Sequence, residues 1–224
     1  MGEDTAVLRR RMVNNQLRTF DVTDHRVQDA FLEIPRERYV PADKRAIAYS
    51  DEAITIVEAP RASAARTMSP PAILARLLQL AQIDDEDVVL LVGSGTGYTA
   101  ALIGCLASSV IALECDEDLA ADAAARLEGE EVTNVVVVTG PLPDGYPSEA
   151  PFDVIFCDGA LEETPQRLLD QMKEGGRLVC VEGKGLAGRA TLFLRTEKAI
   201  SRRASFNAAA APLPGFSPAP TFIF

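Results

Sequence analysis

"VVLLVGSGTGYTAALI", Val88 to Ile103, decides the fold. Five aliphatic residues run into Gly93, Gly95 and Gly97, and a second apolar run starts at Tyr98. A continuous aliphatic run bounded by glycine reads as a strand buried on both faces, and the longer run after it as a helix. Glycine carries no Cβ, so the turn between them brings main chain close to whatever binds there.

The same alternation continues toward the C-terminus. "SVIALEC", "NVVVVTG", "FDVIFCDG" and "RLVCVEG" read as further strands, and "EDLAADAAARLEG" and "TPQRLLDQMKEGG" as helices. Buried strands alternating with helices imply a parallel sheet covered on both sides, a doubly wound Rossmann-like α/β fold. "ATLFLRT" and "SRRASF" read as closing antiparallel strands. Before the sheet, Val7, Met12, Val13 and Leu17 form one helical stripe. Val27, Ala30, Phe31 and Ile34 form a second, with Asp24 as its N-cap and Pro35 as its end. A proline-rich stretch follows, with a short strand expected from Ala53 to Val57, and then a helix begins at Pro70-Pro71. The expected division is a helical extension and lid segment over residues 1–71 and a Rossmann-like domain over 72–224.

Composition narrows the function. The chain has 224 residues, 47% hydrophobic, and a net charge of -11, with no sustained Lys/Arg stripe, which argues against a dedicated nucleic-acid binder. No apolar run approaches the ~18 residues of a membrane span, and the first residues lack a secretory pattern, so a cytoplasmic location is expected. The four cysteines and single histidine lack metal-ligand spacing, and the cysteines read as reduced core thiols with no metal.

Two common ligands are disfavoured at the turn. A dinucleotide fingerprint wants its third glycine where Tyr98 stands, and no phosphate-cradling G-x-x-x-x-G-K-[ST] occurs. The G-x-G-x-G spacing instead matches S-adenosylmethionine enzymes, in which the turn packs against the amino-acid and ribose portions. Glu114, at the end of the second strand, is placed to accept from two ribose hydroxyls. The alternative is that Glu114 and Asp116 serve only the start of the next helix.

With "RERYVP", "AYSDEAI", "RTMSPPAILARLLQL", "GSGTGYTAALI", "NVVVVTG", "GYPSEAPFDVIFCDGA" and "LLDQMKEGGRLV" in this order, the chain resembles the protein-L-isoaspartate O-methyltransferases from about Val7 to Val181. The resemblance implies a class I methyltransferase sheet and methyl transfer from S-adenosylmethionine to the α-carboxylate of isoaspartyl residues in damaged proteins. It implies cofactor contacts from Gly93, Ser94, Gly95, Thr96, Gly97, Tyr98, Glu114, Cys115, Gly140, Pro141, Leu142 and Asp158. It also implies catalytic roles for Ser69 and Thr67, with Ser69 presenting its hydroxyl to the acceptor. Asp158 is a catalytic candidate because "FDVIFCDGA" is similar to small-molecule methyltransferases in which an acid there orients a substrate hydroxyl or amine. Ser69 could equally cap the helix started by Pro70.

The departures from the family cluster at the cofactor. Leu91 replaces an acidic residue, Gly140-Pro141-Leu142 replaces "GDG", and "EAPRASAARTMS" replaces a shorter "GQTIS" approach. Two lost polar contacts of ~1 kcal/mol each weaken binding by about ten- to a hundredfold unless a neighbour such as Asp144 compensates. On the acceptor side, "TAA" becomes Asp158-Gly159-Ala160, which sets a carboxylate beside an incoming carboxylate. Two alternatives follow: a methyltransferase with another acceptor oriented by Asp158, or a non-catalytic relative.

Overall fold

Two aspartates start the N-terminal helices of the computed structural model, which describes residues 4–58 and 65–217. Asp4 caps α1 (Thr5–Met12) through the Ala6 amide, and Asp24 caps α2 (His25–Glu33) through the amides of Arg26 and Val27. Each side-chain oxygen satisfies donors that a first helical turn leaves free. Both expected stripes are buried except for Val7, in the first turn of α1, which is exposed. Helix α2 stops at Ile34, held extended by the proline after it.

The loop-rich stretch contains more order than its sequence suggests. β1 (Ile54–Val57) pairs antiparallel with β2 (Arg66–Met68), with Ile54 opposite Met68. A three-residue strand has no periodicity of its own to read, so only its partner reveals it. Residues 59–64 of the expected lid segment lie outside the described residues. Helix α3 (Pro71–Ala81) begins at the two prolines, and Pro70 holds its capping position without a side-chain bond, so Ser69 does not cap it.

The main sheet contains β3 (Val88–Val92), β4 (Ser109–Glu114), β5 (Val135–Thr139), β6 (Phe152–Leu161), β7 (Met172–Glu182), β8 (Arg189–Arg195) and β9 (Ile200–Asn207). Its order is β5-β4-β3-β6-β7-β8-β9, parallel through β7 and antiparallel at the two closing strands. Along β3, Val89 and Leu91 enter one core with Met12, Phe31 and Leu74, while Leu90 and Val92 enter the other with Leu113, Phe152 and Leu213. Alternate side chains point to opposite faces of a strand, so both faces of β3 must be covered, and they are. Helices α4 (Tyr98–Gly104) and α5 (Glu117–Gly129) make the crossovers to β4 and β5, and Asp116 caps α5.

One expected helix is mostly absent. Of "TPQRLLDQMKEGG" only α6 (Gln166–Leu169) is helical, and Met172 already pairs with Phe152 of β6. The apolar spacing of Leu168, Leu169 and Met172 suits either state. The Gln171 side chain decides, accepting from the Tyr146 amide and donating to the carbonyls of Asp144 and Arg167. Tertiary pairing here overrides local propensity. Cys157 and Cys180 are core thiols as expected, whereas Cys105 is exposed at the end of α4 and Cys115 is half-buried.

Candidate active site at the glycine turn

The strand order reverses beside β3, and ligands of such sheets bind outside the carboxyl ends of the strands at that point. Gly93, Gly95 and Gly97 there have φ of 85°, 55° and 90°. Side chains rarely adopt these angles, so the sequence needs glycine for the turn to form. The turn is tied to β4 by Gly93 and Ser94 amides donating to the Leu113 carbonyl at 2.9 and 3.1 Å. The hydroxyls of Ser94 and Thr96 are buried, and neither has a partner among the described residues.

Glu114 ends β4 with no solvent exposure. Its Oε2 accepts from the Gly95 amide at 2.8 Å, and its Oε1 from the Cys115 amide at 2.9 Å. Oε1 also accepts from the Asp116 amide at 3.3 Å, and the two terminal nitrogens of Arg66 donate to the carboxylate at 2.6 and 2.9 Å. A fork of this shape matches a carboxylate face to face. Burial alone pulls the Arg66 guanidinium down, but the hydrogen bonds and charge of Glu114 outweigh it and hold the group above its ordinary value.

Across the turn, Ser69 Oγ donates to Asp158 Oδ1 at 2.9 Å, and Thr99 Oγ1, from the first turn of α4, donates to Asp158 Oδ2 at 2.5 Å. Asp158 keeps partial solvent contact. The protein around it is still dense enough that burial pushes its carboxyl up, against the opposing pull of Thr99, Ser69, Arg66 and Arg36. Arg36, fully buried, fixes the approach by donating to the carbonyls of Ser69 and Ala48, each at 2.8 Å, and lies 4.8 Å over the Tyr98 ring.

The C-terminal segment closes over this group. Register between β6 and β7 breaks between Phe156 and Ala160, and the freed main chain pairs with a new partner. The Ala160 amide donates to Ala211 at 2.8 Å, the Leu213 amide donates to Ala160 at 2.9 Å, and the Glu162 amide donates to Phe216 at 3.1 Å. Leu213 then lies against two glycines. A Cβ added to Gly93 or to Gly159 would stand 2.6 Å from a Leu213 side-chain carbon.

Residues 8–206 match the family model of protein-L-isoaspartate(D-aspartate) O-methyltransferase (PCMT). The chain belongs to this family. A protein-L-isoaspartate O-methyltransferase of Koribacter versatilis is 43% identical over 80% of this chain and 78% of its own. One of Methanoculleus marisnigri is 39% identical over 78% and 77%. A solved protein-L-isoaspartate O-methyltransferase superposes with a TM-score of 0.80 at 25% identity, covering 92% of this chain and 66% of that one. The fold is shared with a Plasmodium falciparum structure in complex with S-adenosyl-L-homocysteine, at a TM-score of 0.77 and 19% identity over 95% and 99%.

Family members use S-adenosylmethionine, and the chemistry of the turn suits it: an acid at the end of β4, close main chain, and two buried hydroxyls lacking partners among the described residues. The space is arranged differently. Arg66 Nη2 lies 3.5 Å and Leu213 Cδ2 2.6 Å from where a Gly93 Cβ would be, so the chain's own side chains line the cradle.

The other residues expected from the family resemblance fall in several places. The Tyr98 ring packs with Phe31 and Tyr39 under Arg36, inside the core beside the N-terminal helices, where burial pushes its hydroxyl up to about 12. Cys115 borders the Arg66–Glu114 pair through its amide and thiol. Gly140 continues the ladder to the Glu114 carbonyl, Pro141 is exposed, and Leu142 is buried in one core with Leu213 and Phe216. Thr67 sits on β2 opposite Thr55. Asp144 forms an ion pair with Arg167. Arg66, Thr99, Arg36 and Leu213 join the site without having been expected. A hydroxyl two residues after the last glycine of the turn was a signal available for Thr99. Nothing local marks the partners of the other three.

Proposed function

We propose that this protein methylates the α-carboxylate of isoaspartyl residues in damaged proteins, starting their repair through a succinimide. The observation that carries the reading is the Ser69 hydroxyl, buried beside the glycine turn and donating to a carboxylate oxygen at 2.9 Å. A hydroxyl so placed can hold an acceptor carboxylate in the same way. With a pKa of about 3.5 that acceptor is ionised at neutral pH and is itself the nucleophile, so the site needs no general base. S-adenosylmethionine, when bound, supplies the electrophilic methyl on a sulfonium that departs as a neutral thioether.

The protein's share is orientation and exclusion of water. Arg36 holds the Ser69 main chain, the glycine turn offers close approach, and Glu114 with the Ser94 and Thr96 hydroxyls offers polar partners for a nucleoside. Asp158 competes with the acceptor for Ser69, so an acceptor carboxylate binds when Asp158 turns aside or takes up a proton. The raised value of Asp158 favours the second route.

Labelled methyl transfer to an isoaspartyl peptide, compared with its aspartyl counterpart, tests the reading. The expected result is transfer to the isoaspartyl form alone, with Ser69→Ala lowering kcat/KM by about a hundredfold. An unchanged rate in Ser69→Ala removes the hydroxyl from the mechanism. Asp158 itself favours a second reading, in which an acceptor hydroxyl or amine donates to its carboxylate. Transfer to such acceptors and to neither peptide would establish that one instead.

A further inference from the structure

Three of the chain's own side chains stand where ligand groups belong under the proposed function. The Arg66 guanidinium takes the Glu114 carboxylate meant for ribose hydroxyls, Leu213 fills the space against Gly93, and the Asp158 carboxylate takes the Ser69 hydroxyl. We infer that Arg66 and the segment from Ala208 to Phe216 form a latch over the cofactor cradle, which S-adenosylmethionine must displace in order to bind. The inference rests on the proposed function only for the identity of the displacing ligand.

The latch is held from two directions. On one side, main-chain bonds at Ala160 and Glu162 zip the segment onto the end of β6, and Leu213 and Phe216 are 3% and 4% exposed. Gly159 makes this possible, since a Cβ there would stand 2.6 Å from Leu213 Cγ and 3.0 Å from the Ala211 carbonyl. Further along, Gly215 abuts Pro143, so the segment bridges from the glycine turn to the turn after β5. From the other side, Arg66 arrives on a strand of three residues paired to one neighbour. Both parts are peripheral to the main sheet, whose parallel strands need not move for the cradle to open.

Opening exchanges partners without leaving charges bare. Glu114 loses a guanidinium and regains hydroxyl donors, while the amides of Gly95 and Cys115 stay in place. Arg66 returns to water, where its charge is well solvated. Apparent affinity is then the intrinsic affinity multiplied by the open fraction, so weakening the latch tightens binding without touching the ligand.

Calorimetric titration of the full chain with S-adenosylhomocysteine tests this, together with hydrogen exchange. Leu213→Ala and Arg66→Gln are each expected to bind about tenfold more tightly than the unaltered protein, and the double variant more tightly still. In the unaltered protein, saturating S-adenosylhomocysteine is expected to expose the amides of Ala160, Glu162 and Leu213 to exchange, a readout that needs no variant to fold. Equal affinities with unchanged protection overturn the latch, as does absence of binding in every form. Tighter binding without methylation of an isoaspartyl peptide keeps the latch and removes the proposed function. Methylation with no gain in either variant does the reverse.

Discussion

Arg66 lies across Glu114 with both terminal nitrogens within 2.9 Å of a carboxylate oxygen, and the Glu114 side chain has no exposure to solvent. The pair joins a three-residue strand of the N-terminal part to the end of a central strand. Removing two charges from water is costly, and here geometry and the added amide donors offset it.

Breaking one half of that pair is therefore expected to cost more than replacing both halves. Arg66→Met leaves a buried, uncompensated carboxylate and should lower unfolding stability by about 3–5 kcal/mol. Adding Glu114→Gln, which keeps an acceptor for the Gly95 amide, should recover part of that loss. Urea denaturation of both singles and the double measures the coupling, and strictly additive costs would contradict it.

The Asp158 carboxyl is raised first by burial, which outweighs the hydrogen bonds of Thr99 and Ser69 and the charges of Arg66 and Arg36. The folded chain therefore holds this proton more tightly than the unfolded one. Its stabilising contribution is complete below the unfolded value of about 3.9 and is lost as pH rises through the raised folded value. Asp158→Asn cannot ionise, so the stability of the variant relative to the unaltered protein should rise from pH ~4 to pH ~7. Thermal midpoints across that range decide the matter, and parallel profiles would mean the carboxyl is not perturbed.

Gly159 and Leu213 should behave as one unit. A methyl at Gly159 meets Leu213 carbons at 2.6 and 2.7 Å, and overpacking of this kind costs about 1–3 kcal/mol. Made in a Leu213→Ala background, the same Gly159→Ala change should cost about 1 kcal/mol less. Equal penalties in the two backgrounds would place Leu213 elsewhere.

Arg36 is fully buried, and removing it takes away the donor to two carbonyls. Charged-group hydrogen bonds are worth about 1.5–3 kcal/mol each, so Arg36→Met should cost about 3 kcal/mol or more. Arg36→Lys should recover less than half of that, since an ammonium cannot reach both carbonyls and lie flat on Tyr98. Chemical denaturation separates the three forms, and full recovery by lysine would show that charge alone suffices.

Much of the architecture was legible in one dimension. The aliphatic runs of β3 to β7, the caps at Asp24 and Asp116, the prolines at the start of α3 and the three glycines of the turn each act within a few residues of themselves. Periodicity and backbone sterics report such local effects directly. The helix expected after Thr164 failed because its apolar spacing suited two states, and a distant glutamine network with β6 chose between them.

From the sequence alone came the doubly wound sheet, the glycine turn at its switch point and the acid at the end of β4, together with the motifs that place the chain in its family. Tertiary structure alone decided what those groups touch. Arg66 reaches Glu114 across 48 residues of chain, Ser69 reaches Asp158 across 89, and Leu213 arrives at Gly93 only after β6 sheds its register with β7. Hydrogen bonds and ion pairs depend on distance in space. Partners so far apart in the chain leave no trace in its pattern until the sheet has brought them together.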